Sequence, residues 1–381
     1  MNDNSHYENS QSSLERELRS TIDLVLDPTV GTSIVDLKMV SSINLSMKVA
    51  DVELLSPVDP KLYPQKDELF RRITGELIKS GLANEVNITM TQMDIALEEE
   101  YASIIRKLSN QDDQDSKSQF SSTRIIAISS GKGGVGKSSV SVNLAVALSI
   151  LGEKVALLDA DIYGFSIHSM LGRDAEPMII GSLVVPPRAY NVSFISTGLF
   201  ARDDQPLIWR GPMLHKALEQ YINQVAWLNP KFLVVDMPPG TGDVAMSVAQ
   251  LIPEAEFYVV TTPQNASERV AQRSALAAKE LKLSMRGVIE NMSYFVGDDG
   301  KRYELFGSGG GEQLAKSLGV NLLCQIPLAM PVREGGDDGE PVVVRDPESD
   351  AAKAFFELAK AIKDIGPVRI RRSELKVSIK K

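Results

Sequence analysis

The chain has 381 residues, of which 43% are hydrophobic and 24% charged, the balance of an ordinary globular protein with core enough for about two to three domains. A formal net charge of −9 argues against a general nucleic-acid binder, which needs a basic footprint. The single cysteine, Cys324, excludes an intramolecular disulfide, and no apolar run approaches the roughly 20 residues that span a bilayer. With a polar first ten residues, the protein is expected to be cytoplasmic, without nucleic-acid partners and without a membrane segment.

Residues 1–12 read as a disordered leader and 13–93 as a small α+β domain. Leu14, Leu18, Ile22 and Leu26 recur every four residues, which predicts a helix that Asp27-Pro28 ends. Val35–Leu45 and Met47–Leu55 read as strands. Leu69, Phe70, Ile73, Leu77 and Ile78 mark the inner face of a second helix, and Glu85–Met90 alternates as a strand does. The module is therefore predicted to run α-β-β-α-β. A charge-rich helix near Ile95–Leu108 and the polar tract Ser109–Gln119 make 94–122 a helix and linker, because such a tract cannot bury enough apolar surface to fold.

From Arg124 strands and helices alternate, the signature of a mostly parallel sheet flanked by helices. Strands are predicted at Arg124–Ser129, Lys154–Leu158, Val192–Thr197, Phe232–Asp236, Glu256–Thr261, Met285–Glu290 and Asn321–Gln325. Helices are predicted near Ser138–Leu151, Pro212–Gln224, Asp243–Leu251, Ala266–Leu281, Gly310–Leu318 and Asp350–Asp364. This α/β domain covers 123–366 and a basic tail covers 367–381.

The first strand runs into Gly131-Lys132-Gly133-Gly134-Val135-Gly136-Lys137-Ser138-Ser139, and a helix follows at once. That order is the phosphate-binding loop of P-loop nucleotide hydrolases. Glycines let backbone N–H groups close around phosphate oxygens, and the helix N-terminus adds partial positive charge. Lys137 would reach the outer phosphates of ATP and Ser138 would hold Mg²⁺. A glycine-rich turn without a ligand is the bland alternative, and the flanking strand and helix speak against it.

Three more carboxyl-end segments carry candidate chemistry. Asp161, in Asp159-Ala-Asp161, can orient the attacking water, accept its proton or sit near the metal; an acidic solvated turn is the alternative. Asp236 ends the strand Phe232–Asp236 and would hold Mg²⁺ through water, and Gly240 in the following Pro-Pro-Gly-Thr-Gly loop could place its N–H on the terminal phosphate. Asn291 offers an amide to a base edge, or serves as a strand-end cap. His6, His168 and His215 sit in no ligand-like spacing, and none is expected to be catalytic.

Gly131-Lys132 through Ser138 resembles the deviant Walker A loop of the SIMIBI ATPases. Asp159–Ser166, Trp209-Arg-Gly-Pro-Met213, Asp236–Asp243, Val259–Gln264 and Glu290-Asn-Met-Ser293 are similar, in order, to the Mrp/ApbC iron–sulfur cluster carriers of that class. The preceding module, with Asp27-Pro28 and Ile34-Val-Asp-Leu37, resembles the MIP18-like domain, with Lys38 where that family usually has glycine. The resemblance implies a homodimer with ATP at its interface, Lys132 reaching the partner's nucleotide, and iron–sulfur apoproteins or assembly factors as partners. It also implies a [4Fe–4S] cluster held by a Cys-x-x-Cys pair just after the Glu-Asn-Met-Ser motif. Here Gly297 and Gly300 occupy that segment, so no cluster ligand is identified and conventional binding is not expected. Cys324, in an apolar strand, reads as a buried structural cysteine. A MinD/ParA-like positional switch is the alternative, for which the basic tail Val368–Lys381 would dock on lipid; a solvated tail is the plainer reading. A nitrogenase-reductase-like electron donor is nearly excluded by the cysteine count.

Overall fold

The computed structural model describes residues 16–110, 120–162, 164–172, 176–200, 211–240, 243–264 and 284–367. The expected leader, most of the polar tract, the helix expected near Ala266–Leu281 and the basic tail lie outside them.

The small module opens with a helix α1 over 16–23 that buries Leu18 and Ile22. It ends at a turn built by Asp27, whose Oδ1 accepts from the backbone N–H groups of Thr29 and Val30 at 2.9 and 2.7 Å. Strand β1 (Val40–Ser46) starts five residues later than the apolar pattern suggested. The reason is local: Ile34, Leu37 and Met39 are buried from a compact turn instead, closed by Leu37 N–H to Ser33 O at 3.0 Å and Met39 N–H to Ile34 O at 2.9 Å. Lys38 closes that turn at φ 58°, a left-handed conformation that glycine adopts at less cost.

β1 and β2 (Val49–Ser56) pair antiparallel through Met47 and Lys48, both at positive φ, as a two-residue hairpin turn demands. Helix α2 (Lys66–Lys79) buries Leu69, Ile73 and Leu77, and β3 (Glu85–Gln92) returns parallel to β2. Helix α3 (Ile95–Leu108) is capped by the Asp94 side chain, which accepts from Leu97 N–H, and it buries Tyr101, Ala102 and Ile105 in the same core as Leu69 and Ile73.

The second unit is built on β4 (Arg124–Ser130), helix α4 (Lys137–Ile150), β5 (Val155–Asp159) and the short helix α5 (Ile167–Met170). Hairpin β6 (Met178–Ile180) and β7 (Leu183–Val185) leads to β8 (Arg188–Ala189) and β9 (Val192–Ile195). Helix α6 (Gly211–Gln224), β10 (Phe232–Pro239), α7 (Asp243–Leu251), β11 (Glu256–Thr261) and β12 (Ser284–Glu290) follow. The chain ends in hairpin β13 (Phe295–Val296) and β14 (Arg302–Tyr303), α8 (Gly310–Leu318), β15 (Asn321–Gln325), α9 (Met330–Asp338), α10 (Val342–Arg345) and α11 (Asp350–Ile365).

The large sheet has the order β15-β12-β11-β4-β10-β5-β9-β8 and is parallel except for β8. Its central strands are buried on both faces, so Ile125–Ile128, Ala156–Leu158 and Phe257–Val260 read as continuous apolar runs, not alternating ones. Because the strands run the same way, their carboxyl ends share one edge, where such sheets bind ligands. Every strand expected from Arg124 onward is present. The β6–β7 and β13–β14 hairpins, β8 and the four-residue helices α5 and α10 were not anticipated, because elements this short show no periodicity, and α9 was missed because its Pro, two Gly and charged residues give no apolar stripe. Met178, Ile180, Leu183 and Val185 of the first hairpin enter the small module's core, joining the two units.

At the opposite sheet edge Glu256 ties three strands together. Its carboxylate bonds Arg124 at 2.7 Å, stands 3.5 Å from Arg286 and accepts from Tyr258 Oη at 3.0 Å. Glu256 is 2% exposed, so Glu256→Leu strands two cations in a dry site. It is expected to cost ~3–5 kcal/mol and to lower the thermal midpoint of this unit by roughly 6–20 °C. A shift under about 2 °C in calorimetry would show that the cluster carries no such weight.

Candidate nucleotide site

The loop between β4 and α4 is shaped by its glycines. Gly134 and Gly136 take φ 79° and 78°, and a Cβ on Gly136 would sit 2.2 Å from Asn291 Nδ2. Asn291 thus packs directly behind the loop, its amide donating to Val135 O at 2.9 Å. A Cβ on Gly133 or Gly134 would meet nothing within 4 Å, so these positions face an open cleft of about 260 Å³. Gly131 is buried. Lys132, Lys137, Ser138, Ser139, Asp161, Met170 and Pro239 also line the cleft.

Lys137 is the hub of the cleft floor. Its ammonium lies 2.7 Å from Asp236 Oδ2 and 3.8 Å from Asp161 Oδ2, and it donates to Ser138 Oγ at 3.3 Å. Ser138 Oγ donates to Asp236 Oδ2 at 2.7 Å. Parallel pairing of β10 with β5 sets Asp236 beside Asp159, so two carboxylates share one dry corner. Burial, and then the like charge of Asp236, push the Asp159 carboxyl well above the ordinary carboxylate range. Burial also raises Asp161, against the pull of Lys137.

Two residues of this network escaped the sequence reading. Asp159 accepts from Ser196 Oγ at 2.8 Å, Asp161 N–H at 3.1 Å, Ser166 N–H at 3.2 Å and Ile167 N–H at 3.4 Å, which pins Asp161, Ser166 and Ile167 beside the cleft. Its signal was present in the Asp-x-Asp pair, from which only Asp161 was drawn. Ser141, fully buried, donates to Asp236 Oδ1 at 2.7 Å and so fixes the carboxylate's rotation. One turn beyond Lys137 on a mostly apolar helix, that serine is a polar residue on the inward face.

Other expected residues behave differently. Lys132 Nζ donates to Gln264 Oε1 of its own chain at 3.4 Å. Gly240, at φ 87°, donates its N–H to Ser130 O at 2.8 Å, not into the cleft. The cause is the pairing of Pro239 with Ser130, which draws this loop onto the P-loop strand; contact with a phosphate requires that bond to be exchanged. Neither His168 nor His215 lines the cleft: His168 meets the Phe165 ring at a tilt of 51° and His215 Nδ1 meets Ser247 Oγ at 3.0 Å. His6 lies outside the described residues.

The donor set fits a metal–nucleotide. Hard oxygens from Ser138 and Asp236 suit Mg²⁺, and the glycine cradle with Lys137 suits phosphate. The sequence of the NUBPL iron-transfer P-loop NTPase (ParA) family matches residues 121–363. The chain is 37% identical over 374 residues to an iron–sulfur cluster carrier protein of Mycobacterium leprae, covering 94% of this chain and 95% of that one. The chain belongs to the NUBPL iron-transfer P-loop NTPase family.

Two solved structures share the fold of the larger unit. A nucleotide-binding protein from Archaeoglobus fulgidus in complex with ADP superposes with TM-score 0.52 at 27% identity, covering 66% of this chain and 95% of that one. The cell division ATPase MinD of Pyrococcus furiosus gives TM-score 0.50 at 26% identity, covering 64% and 99%.

The segment after Glu290-Asn-Met-Ser293 holds no thiolate. It folds as the β13–β14 hairpin, in which Gly297 N–H bonds Lys301 O at 3.0 Å and Asp299 accepts from Lys301 N–H and Tyr303 Oη at 3.0 and 2.9 Å. Cys324 is buried, donates to Ala354 O at 3.3 Å, and has its thiol pushed up to about 12, by burial first and then by Glu357. Among the described residues no group of three or more His, Cys, Asp and Glu is placed to hold a metal.

Proposed function

We propose that this chain is an ATP-hydrolysing assembly protein of the iron–sulfur carrier type that works as a homodimer across its nucleotide. The observation that carries the reading is the convergence of Lys137, Ser138, Asp161 and Asp236 on one glycine-lined cleft. Relatives named iron–sulfur cluster carriers match along nearly the whole chain, small module included, which supports iron–sulfur apoproteins or assembly factors as clients.

In this reading Lys137 leaves Asp236 for the outer phosphates, since a triphosphate offers it more negative charge than one carboxylate. Bound Mg²⁺ supplies Lewis-acid neutralisation of those phosphates. Ser138 and Asp236 orient it, and Ser141 keeps Asp236 from rotating away. Asp161, half-buried beside the cleft, orients the attacking water and accepts its proton. Gly240 trades Ser130 O for the terminal phosphate, which makes its loop sensitive to hydrolysis. Lys132 leaves Gln264 to serve the partner's nucleotide as a charged finger. Asn291, buried behind the loop with Nδ2 on Val135 O and not among the residues lining the cleft, steadies the cradle, and it would have to swing out to offer Oδ1 to a base edge.

The cluster is cargo here, and this chain lacks the thiolates to hold it in the usual way. Anaerobic reconstitution with iron and sulfide is expected to leave far less than one [4Fe–4S] per dimer, with or without Cys324→Ala. One cluster per dimer in iron and sulfide assays would overturn that part of the proposal. A MinD-like positional switch is the second reading, favoured by the fold likeness to MinD. That likeness covers 64% of this chain, whereas the carrier relative covers 94%, and we rank the carrier reading first. Among the described residues no helix is long and apolar enough to cross a membrane.

A further inference from the structure

A second cavity, of about 300 Å³, lies where the small module meets the nucleotide unit. Thr29, Pro64 and Gln65 form one wall, and Leu171, Gly172 and Arg188 form the other. It shares no residue with the nucleotide cleft, although Met170 lines the cleft and the adjacent Leu171 lines this pocket.

Arg188 is the unusual feature. It crosses from the start of β8 to the module, where its Nη1 would sit 2.6 Å from a Cβ on Gly31. Its own carbonyl accepts from Gln65 Nε2 at 2.7 Å, which fixes the backbone. The guanidinium itself is poorly satisfied. Nη2 makes one long bond, 3.4 Å to Asn191 O, and Nε is buried without a partner. Among the described residues no carboxylate stands within 4.0 Å of it. Asp27 is near enough to interact, but its oxygens are taken by Thr29 N–H, Val30 N–H and Tyr63 Oη at 2.7 to 2.9 Å. Arg72 and Lys154 add like charge around it. A partly buried guanidinium with spare donors, whose one nearby carboxylate, Asp27, is bonded elsewhere, gains from a ligand that supplies an anion.

We propose that this interdomain pocket binds a small oxyanion, a carboxylate or phosphate group, paired with Arg188, toward which the Thr29 hydroxyl would turn from its long 3.5 Å bond to Pro64 O. Its apolar walls, Pro64 and Leu171, suit a short carbon body attached to that group. Arg188 offers the forked, planar donors that such oxyanions match. Because Leu171 and Gly172 close the segment that Asp159 pins beside the cleft, the occupant sits against an element of the nucleotide site.

Calorimetric titration of the full chain, saturated with ADP and Mg²⁺ so that the P-loop is filled, tests this with inorganic phosphate and with succinate as separate probes. At least one probe is expected to bind saturably, one per chain. The affinity should fall about tenfold or more in Arg188→Gln and less in Arg188→Lys, which keeps the charge but loses the fork. Phosphate binding alone assigns a tetrahedral anion and succinate binding alone a carboxylate. Should Arg188→Gln fail to fold, Thr29→Val, which keeps the packing, is expected to weaken binding about threefold. Absence of saturable binding by both probes, or an affinity unchanged in these variants, overturns the proposal.

Discussion

Lys132→Ala is expected to bind ATP within about threefold of the parent chain and to hydrolyse it about 10³-fold more slowly or worse, the range lost when a charged finger is removed from phosphoryl transfer. Three observations set this expectation. Lys132 belongs to the glycine-rich loop, yet its ammonium is 3.4 Å from Gln264 of its own chain, not on the cleft floor with Lys137. Its bond to Gln264 is long and has an uncharged acceptor, so little is lost on release. The loop's backbone does not depend on its side chain either, since Ser130 Oγ donates to the Lys132 carbonyl at 3.0 Å. Single-turnover hydrolysis beside equilibrium binding of a fluorescent ATP analogue separates the two steps. Equal loss of binding and turnover would make Lys132 a binding lysine in its own site.

Lys137→Met should behave in the opposite way, with nucleotide affinity lower by about 100-fold or more and turnover below detection. The cation that meets the outer phosphates is here only 7% exposed and holds the buried Asp236 at 2.7 Å. Its loss also leaves Asp236 facing Asp159 with no countercharge, so the variant should melt earlier, by an amount of the order that follows breaking a buried pair, ~3–5 kcal/mol. A melting curve in the absence of nucleotide therefore belongs beside the binding measurement. If the variant binds ATP as tightly as the parent, Lys137 does not face the phosphates.

Much of this arrangement was legible in the sequence because it is local. Ile125 to Ser138 carries strand, loop and helix within fifteen or so residues, and the apolar run before Asp236 places a carboxylate at the same sheet edge. What was not legible is what register and long-range contact decide. Asp159 and Asp236 become neighbours only because β5 and β10 pair in parallel with those two residues opposite each other. Ser141 matters only because α4 turns it toward Asp236. Gly240 points its N–H at Ser130 because the β10 pairing extends to Pro239, and no pattern of residues announces that bond. In the small module the apolar run from Val35 reads as strand, yet Lys38 at positive φ and three buried apolar side chains fold it into a turn. The hairpins escaped for a simpler reason, since strands of two or three residues are too short for alternation to show.

The account stands on two chains sharing each nucleotide, and mixing two inactive variants tests that directly. Lys132→Ala retains a competent phosphate cradle, and Lys137→Met retains a competent Lys132. A heterodimer therefore contains one complete site, so an equimolar mixture should recover up to roughly a quarter of the parent's turnover, half the dimers being mixed with one of two sites intact. Steady-state hydrolysis that rises toward that value as the second variant is titrated in is the predicted result. A mixture no more active than its two components, with both variants folded and dimeric by sedimentation, would contradict a site shared between chains.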